Sequence, residues 1–239
     1  MSIIIKDCQQ SPRIPTQERL RCGRFSYSTL KGGSGKTTFV TNLAVYYAMR
    51  GKSVVLVDFD PQGSSMDWLE ARPDDRAPIR GIIGWEGKVR IPGNTDYAFM
   101  DAPAGLHGEP MTDLVRRAQT LLVPVVPSPI DLRAAVRFHD ELMQTRSVLK
   151  KRVAVGTVAN RVRENSSNRT LLEEFLHALR LPDGRKLPFI ACIRNSQNYR
   201  RAAERGLGLF ESAPSMVAHD TELWRPLFRW LNSKRSQPA

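Results

Sequence analysis

Apolar residues arrive in short unbroken runs: Ser53–Asp58, Tyr97–Asp101, Thr120–Pro127, Arg152–Arg161 and Leu187–Ile193. Runs of this length without alternation suit strands covered on both faces, as in parallel sheets. Between them the apolar spacing changes to the helical period. Phe39, Val40, Leu43, Ala44 and Tyr47 form one stripe, and Leu171, Leu172, Phe175, Leu176 and Leu179 form another. Ser128 to about Leu149 reads as a helix capped by Asp131. Asp220 to Arg235 reads as a last helix, its face of Leu223, Trp224, Leu227, Phe228 and Leu231 opposed by Arg225 and Arg229. Pro226 is expected either to break that helix or to start its final piece.

Alternating strand and helix signals predict an α/β fold: a single domain with a mostly parallel central sheet and helices on both faces. The domain is expected over 24–235. Residues 1–23 are expected to be an irregular extension, although Ile3–Ile5 suits a short strand. Ile79–Ile83 and Lys88–Ile91 read as short edge strands within a stretch rich in Pro, Gly and charge. Pro124 marks a local irregularity or an edge in its strand.

The chemistry gathers at the loops. Leu30 to Thr38 reads Leu-Lys-Gly-Gly-Ser-Gly-Lys-Thr-Thr, after the apolar-leaning run Phe25–Leu30 and before the first helical stripe. Strand, glycine-rich loop and helix form the context in which a phosphate-binding loop has physical meaning. Gly32, Gly33 and Gly35 let backbone N–H groups of the loop, with Ser34 and Thr38, turn inward on a phosphate. The helix N-terminus adds unpaired donors. Lys36 can reach the β- and γ-phosphates of ATP, and the Thr37 hydroxyl can hold Mg²⁺. Asp58-Phe-Asp60-Pro-Gln-Gly63 and Asp101-Ala-Pro-Ala-Gly105 follow apolar strands, at the sheet edge where ligands sit in open α/β folds.

Position 30 is Leu where a general phosphate loop has glycine, and a second lysine, Lys31, precedes the glycine pair. The motif Lys-Gly-Gly-x-Gly-Lys-Thr resembles the signature of the ParA/MinD family of deviant Walker ATPases. The resemblance extends over about 24–232 and takes in the Asp-x-Asp-Pro-Gln-Gly motif and a Walker B aspartate. Pro127-Ser-Pro-x-Asp-Leu132 is similar to the small single-domain ParA proteins in particular. The resemblance implies that Lys31 crosses an ATP-sandwich dimer to the partner's phosphates. It implies that Asp60 orients and activates water, that Asp58 supports the metal, and that Asp101 holds Mg²⁺ through a water. It further implies a backbone N–H of Gly105 near the γ-phosphate, an adenine contact from Asn160 and a stacking contact from Arg161. On its own residues, Asn160 reads equally well as a loop cap.

Composition then narrows the partners. The chain carries 36 Lys and Arg against 24 Asp and Glu, a formal charge of +12. Residues 120–239 hold 20 basic against 11 acidic residues, whereas residues 1–119 hold 16 against 13. Such a bias favours a polyanionic partner. Arg194, Arg200, Arg201 and Arg205 follow the last apolar strand, and by resemblance this region lies near the DNA-binding face of an ATP-bound dimer. Arg225 and Arg229 on the last helix are rival candidates. The implied cycle is that of an ATP-dependent homodimer that binds double-stranded DNA without sequence preference, on the nucleoid. A ParB-like or cargo-adaptor protein would stimulate hydrolysis. The cargo would be a plasmid, a chromosome region or a protein assembly.

Other classes fit less well. No apolar run approaches the roughly 18 residues of a membrane span, and the start lacks a signal-peptide layout, so a cytoplasmic location is expected. A membrane-cycling ATPase of the MinD kind would use the basic amphipathic last helix, but docking of that helix on the core is the expected outcome. The 3 cysteines, Cys8, Cys22 and Cys192, have neither disulfide nor metal spacing, nor do they match an iron–sulfur ATPase. His139 is expected to be a satisfied core histidine. No tyrosine cluster follows Tyr199, as a bacterial tyrosine kinase would require.

Overall fold

The computed structural model describes residues 2–4, 25–26 and 35–238, with side chains from 35 onward. Lys31, Gly32, Gly33, Ser34, Cys8, Cys22 and most of 1–23 lie outside the described residues. The sheet has eight strands: β1 (Ser2–Ile4), β2 (Phe25–Ser26), β3 (Val54–Asp58), β4 (Arg80–Ile83), β5 (Tyr97–Asp101), β6 (Thr120–Val125), β7 (Ala154–Val162) and β8 (Phe189–Arg194). Their order is β4-β3-β5-β1-β6-β7-β8, and β2 pairs with β6. Pairing is parallel except for β1, which lies antiparallel between β5 and β6. Every residue of β3 and β5 is buried, as their unbroken apolar runs require.

Helix α1 (Lys36–Ala48) is nearly enclosed, more so than a one-sided stripe implies. Two later segments cover its outer side. One is a 3₁₀ turn at Leu209–Glu211, where a Cβ on Gly208 would stand 2.8 Å from the Cβ of Val45. Asn42 ties the same turn to α1: its amide donates to Thr38 O (2.6 Å) and its carbonyl accepts from Leu209 N–H (2.6 Å). The other cover is α8 (Pro214–Leu231). Trp224 stacks on Phe39 with ring centroids 5.0 Å apart, and Phe228 stacks on Tyr46 at 3.3 Å.

The last helix therefore docks in the core with Trp224, Leu227, Phe228 and Leu231 buried. The face a membrane surface would need is already covered. Pro226 neither breaks α8 nor starts a new piece, because the helix runs through it. The missing N–H leaves only the carbonyl of exposed Glu222 without a helical donor, where water reaches it.

The rest of the frame comprises α2 (Ser64–Glu70), α3 (Gly108–Arg116), α4 (Pro129–Gln144), α5 (Arg146–Leu149), α6 (Ser167–Ala178) and α7 (Gln197–Ala203). Four expectations are corrected. Lys88–Ile91 forms no strand: Val89 and Ile91 pack on the core from a loop beside the turn at Gly87. The helix expected to run to Leu149 stops at Thr145, whose hydroxyl donates to Leu142 O (2.8 Å) before α5 begins. Its cap is Ser128, which accepts from the Asp131 N–H (3.2 Å), so Asp131 lies inside the first turn. Leu171 is exposed, leaving Leu172 and Leu176 as the buried part of the α6 stripe.

Strand β6 runs through Pro124 without a register shift against β7, pairing it with Val158. The expectation for His139 holds. His139 is satisfied, its ring nitrogens lying 2.8 Å from Arg180 O and 3.2 Å from Asp140.

Candidate nucleotide site

Three strand ends deliver the site. Strands β3 and β5 are parallel neighbours in a register that pairs Asp58 with Asp101, so both carboxylates leave the sheet side by side. Neither is exposed: Asp58 is 0% and Asp101 1% accessible. Asp58 accepts from the backbone N–H groups of Asp60 (2.9 Å) and Ser65 (3.0 Å). Asp101 Oδ2 accepts from the hydroxyls of Thr37 (2.8 Å) and Ser65 (2.7 Å). Its other oxygen, Oδ1, is buried with no hydrogen-bond partner among the described residues.

Burial and then the neighbouring Asp101 push the Asp58 carboxyl up to about 7. Burial also raises Asp101, opposed by the Ser65 and Thr37 hydrogen bonds and by Lys36. Two crowded carboxylates with an orphaned oxygen are an unstable arrangement unless a cation compensates them. Hard oxygen donors from Thr37, Asp101 and Asp58 fit Mg²⁺.

Lys36 is the first residue of α1, 8% exposed, and its charge opposes the rise of the Asp101 carboxyl, so a buried lysine and the helix N-terminus lie close to the aspartates. Gly35 before it has φ +77°, the left-handed region that favours glycine. A Cβ there would also stand 3.2 Å from Asn160 Nδ2 and 3.3 Å from Arg161 Cδ, so both side chains lie directly over the loop.

They reach it through a bulge. Asn160 and Arg161 lie within the last turn of pairing of β7, not beyond it, where the register with β8 shifts between Ala159 and Val162. Arg161 has φ +54° there. Bulges re-aim side chains at strand ends. Together with Gln197 and Tyr199 they line a cavity of about 410 Å³ next to Thr38, the size of a small-ligand pocket.

Asp60 stands half-buried on the turn closed by Gly63 N–H to Asp60 O (2.9 Å), with its carboxylate accepting from Gln62 N–H (3.1 Å). Gly105 sits in an exposed turn at φ +69° past β5. Thr38 is half-buried beside the cavity.

The arginines separate. Arg194 is drawn inward, its Nε 2.6 Å from the fully buried Asp220, with Glu164 at 3.4 Å. That ion pair engages much of the guanidinium expected to contact DNA, although the side chain keeps 27% exposure. Arg200 lines the cavity and pairs with Glu204 at 3.1 Å. Arg201 and Arg205 are exposed, as is Arg225, which pairs with Glu222 at 2.9 Å. Arg229, also exposed, lies at the opposite end of β8.

Sequence reasoning overlooked Ser65. Among the described residues it is the one that hydrogen-bonds both carboxylates, and its signal was a hydroxyl at the helix start just after Asp-Pro-Gln-Gly.

Comparisons with known proteins agree with this geometry. The profile of the CobQ/CobB/MinD/ParA nucleotide binding domain matches residues 27–210. Maintenance of carboxysome distribution protein A from Gloeobacter kilaueensis is 32% identical over 188 residues, covering 76% of this chain and 81% of its own. Its namesake from Halothiobacillus neapolitanus is 28% identical over 194 residues, covering 78% and 86%. The MinC:MinD cell division protein complex of Aquifex aeolicus superposes with a TM-score of 0.64 at 18% identity, over 89% of this chain and 97% of that one. A phosphate-loop helix, paired strand-end aspartates and these matches place the chain in one group: it belongs to the CobQ/CobB/MinD/ParA nucleotide-binding family, the ParA/MinD P-loop ATPases.

Proposed function

We propose that the chain is a ParA-type positioning ATPase: it binds ATP, pairs as a nucleotide sandwich, holds double-stranded DNA without sequence preference and lets go on hydrolysis. The observation that carries this reading is the Asp58–Ser65–Asp101–Thr37 cluster beside Lys36, with an Asp101 oxygen unpartnered among the described residues. Two relatives named for carboxysome distribution support a positioning role with a protein assembly as cargo.

In this reading the 32–38 backbone and Lys36 cradle the phosphates, and Thr37, Asp101 and Asp58 hold Mg²⁺. The metal, when bound, supplies compensation for charge on the β- and γ-oxygens. Asp60 accepts a proton from the attacking water and orients it. Gly105 offers its N–H to the γ-phosphate, Asn160 reads the base, and Arg161 stacks on it. No side chain among the described residues is an evident stronger base than Asp60, so turnover is slow until a partner protein, an adaptor of the cargo, improves the geometry.

Lys31 acts across the dimer. Lys31→Ala is expected to bind one nucleotide per chain but to sediment as a monomer with ATP. An ATP-dependent dimer in that variant would make Lys31 a ligand within its own chain.

DNA binding rests on the +12 charge and on exposed Arg201 and Arg205, with Arg225 also exposed. Pairing two chains doubles the phosphate contacts on one face. With ATP and not ADP, duplexes of arbitrary sequence should bind alike, log K falling against log salt by about 0.9 per neutralised phosphate. Arg201→Glu with Arg205→Glu should weaken all sequences equally and flatten that slope. ATP-loaded protein that ignores DNA at low salt would refute the DNA step.

A further inference from the structure

At the end of the sheet away from the nucleotide lies a groove of about 1090 Å³ that the proposed cycle leaves unused. Its floor joins the starts of β7 and β8 to the final turns of α8, with Phe189, Ile190, Pro226 and Trp230 contributing apolar surface. The nucleotide cavity lies at the other end of the same two strands, around Asn160 and Arg194. Phe189 and Arg194 bound β8, so roughly 16 Å of strand separates the two.

We infer that this groove docks an acidic, amphipathic segment of a partner protein. Charge argues for the acid. Arg229, Lys234 and Arg235 stand exposed around the mouth with no carboxylate partner among the described residues. Lys151 and Arg185 share the single acidic lining residue, Asp183, at 3.2 Å and 2.9 Å. The rim therefore has more cations than its own anion can pair, around a floor that offers a phosphate nothing.

The floor argues for apolar side chains, and so for a peptide over a duplex. Phosphates lie on the outside of DNA, and its bases cannot enter a recess of this kind, whereas Leu or Phe side chains gain about 25 cal/mol for each Å² removed from water.

The rim is also held in place. The 3₁₀ turn Lys234–Ser236 is tied to the sheet by Thr120 Oγ1 donating to Ser236 O (2.5 Å), and Ser236 Oγ donates back to Leu231 O (2.8 Å). The backbone that carries Lys234 and Arg235 is thus held in place, which reduces the ordering lost on binding. A segment seated here leaves the nucleotide end uncovered, so docking is independent of the ATP cycle proposed above.

The test is a selection from a random dodecapeptide display library on the full chain without nucleotide, counter-selected on Lys234→Glu/Arg235→Glu. Survivors should interleave Asp or Glu with Leu, Phe or Trp. As synthetic peptides they should bind the variant roughly tenfold or more weakly, and wild type less well as salt rises. A thermal melt checks the variant's fold, and the double alanine variant, with charge removed but not reversed, should fall between. Failure to recover peptides, survivors without acids, or equal binding to the variant would overturn the inference. So would a duplex whose binding is lost in the variant while peptide binding stays intact, because the rim would then belong to a DNA face.

Discussion

Arg72→Met is expected to destabilise the chain by about 3–5 kcal/mol, the usual consequence of stranding one partner of a buried ion pair. Arg72 and Glu211 are 6% and 3% exposed at their side chains and meet through two bonds, of 2.7 Å and 2.9 Å. The guanidinium also donates to Gly206 O (3.1 Å) and Ala77 O (3.0 Å), and Glu211 accepts from Gly208 N–H (2.8 Å). Methionine fills much of the space but leaves the carboxylate buried and those carbonyls short of donors. At roughly 2–4 °C per kcal/mol for a chain of this size, the melting point should fall by roughly 6–20 °C. Adding Glu211→Leu should recover much of the loss, because an apolar pair removes the uncompensated charge. A fall under about 1 kcal/mol in the single variant would mean that water enters the site and screens the pair.

The second large effect concerns binding. Lys36→Ala should weaken ATP affinity by about 30-fold or more, the scale for removing one partner of a buried hydrogen-bonded charge pair at about 2–5 kcal/mol. Lys36 as a residue is only 8% exposed, so bulk water poorly replaces it against the β- and γ-phosphates. Equilibrium binding of a fluorescent ATP analogue measures the loss. Wild-type affinity would refute the phosphate-loop assignment. Asp60→Ala is the contrasting variant, expected to retain ATP while turnover collapses.

The sequence made the frame of this site legible because each piece is local. An unbroken apolar run ending in Asp describes β3 or β5 by itself, and parallel pairing then brings Asp58 and Asp101 together without further information. The glycine loop followed by Lys-Thr and a helical period is likewise contained in about 15 residues.

What stayed hidden depends on long-range partners. Arg72 and Glu211 are 139 residues apart, and nothing near either one announces a buried pair. Arg194 looked like one of an exposed arginine run until α8 brought Asp220 beneath it. The Asn160–Arg161 bulge depends on how β8 registers with β7, which no local pattern encodes. Pro226 misled for the opposite reason: its local rule is sound, but tertiary packing on both sides of α8 outweighs one missing hydrogen bond.

The seam between α1 and the 3₁₀ turn at Leu209 has a mechanical consequence. Asn42 grips the turn with a 2.6 Å bond, and Gly208 lies so close to Val45 that even one methyl would not fit. Close-packed contacts of this kind transmit displacement and do not absorb it. The helix that begins at the phosphate loop and the turn that follows α7 and its arginines therefore act as one lever. A tilt at one end arrives at the other without backlash.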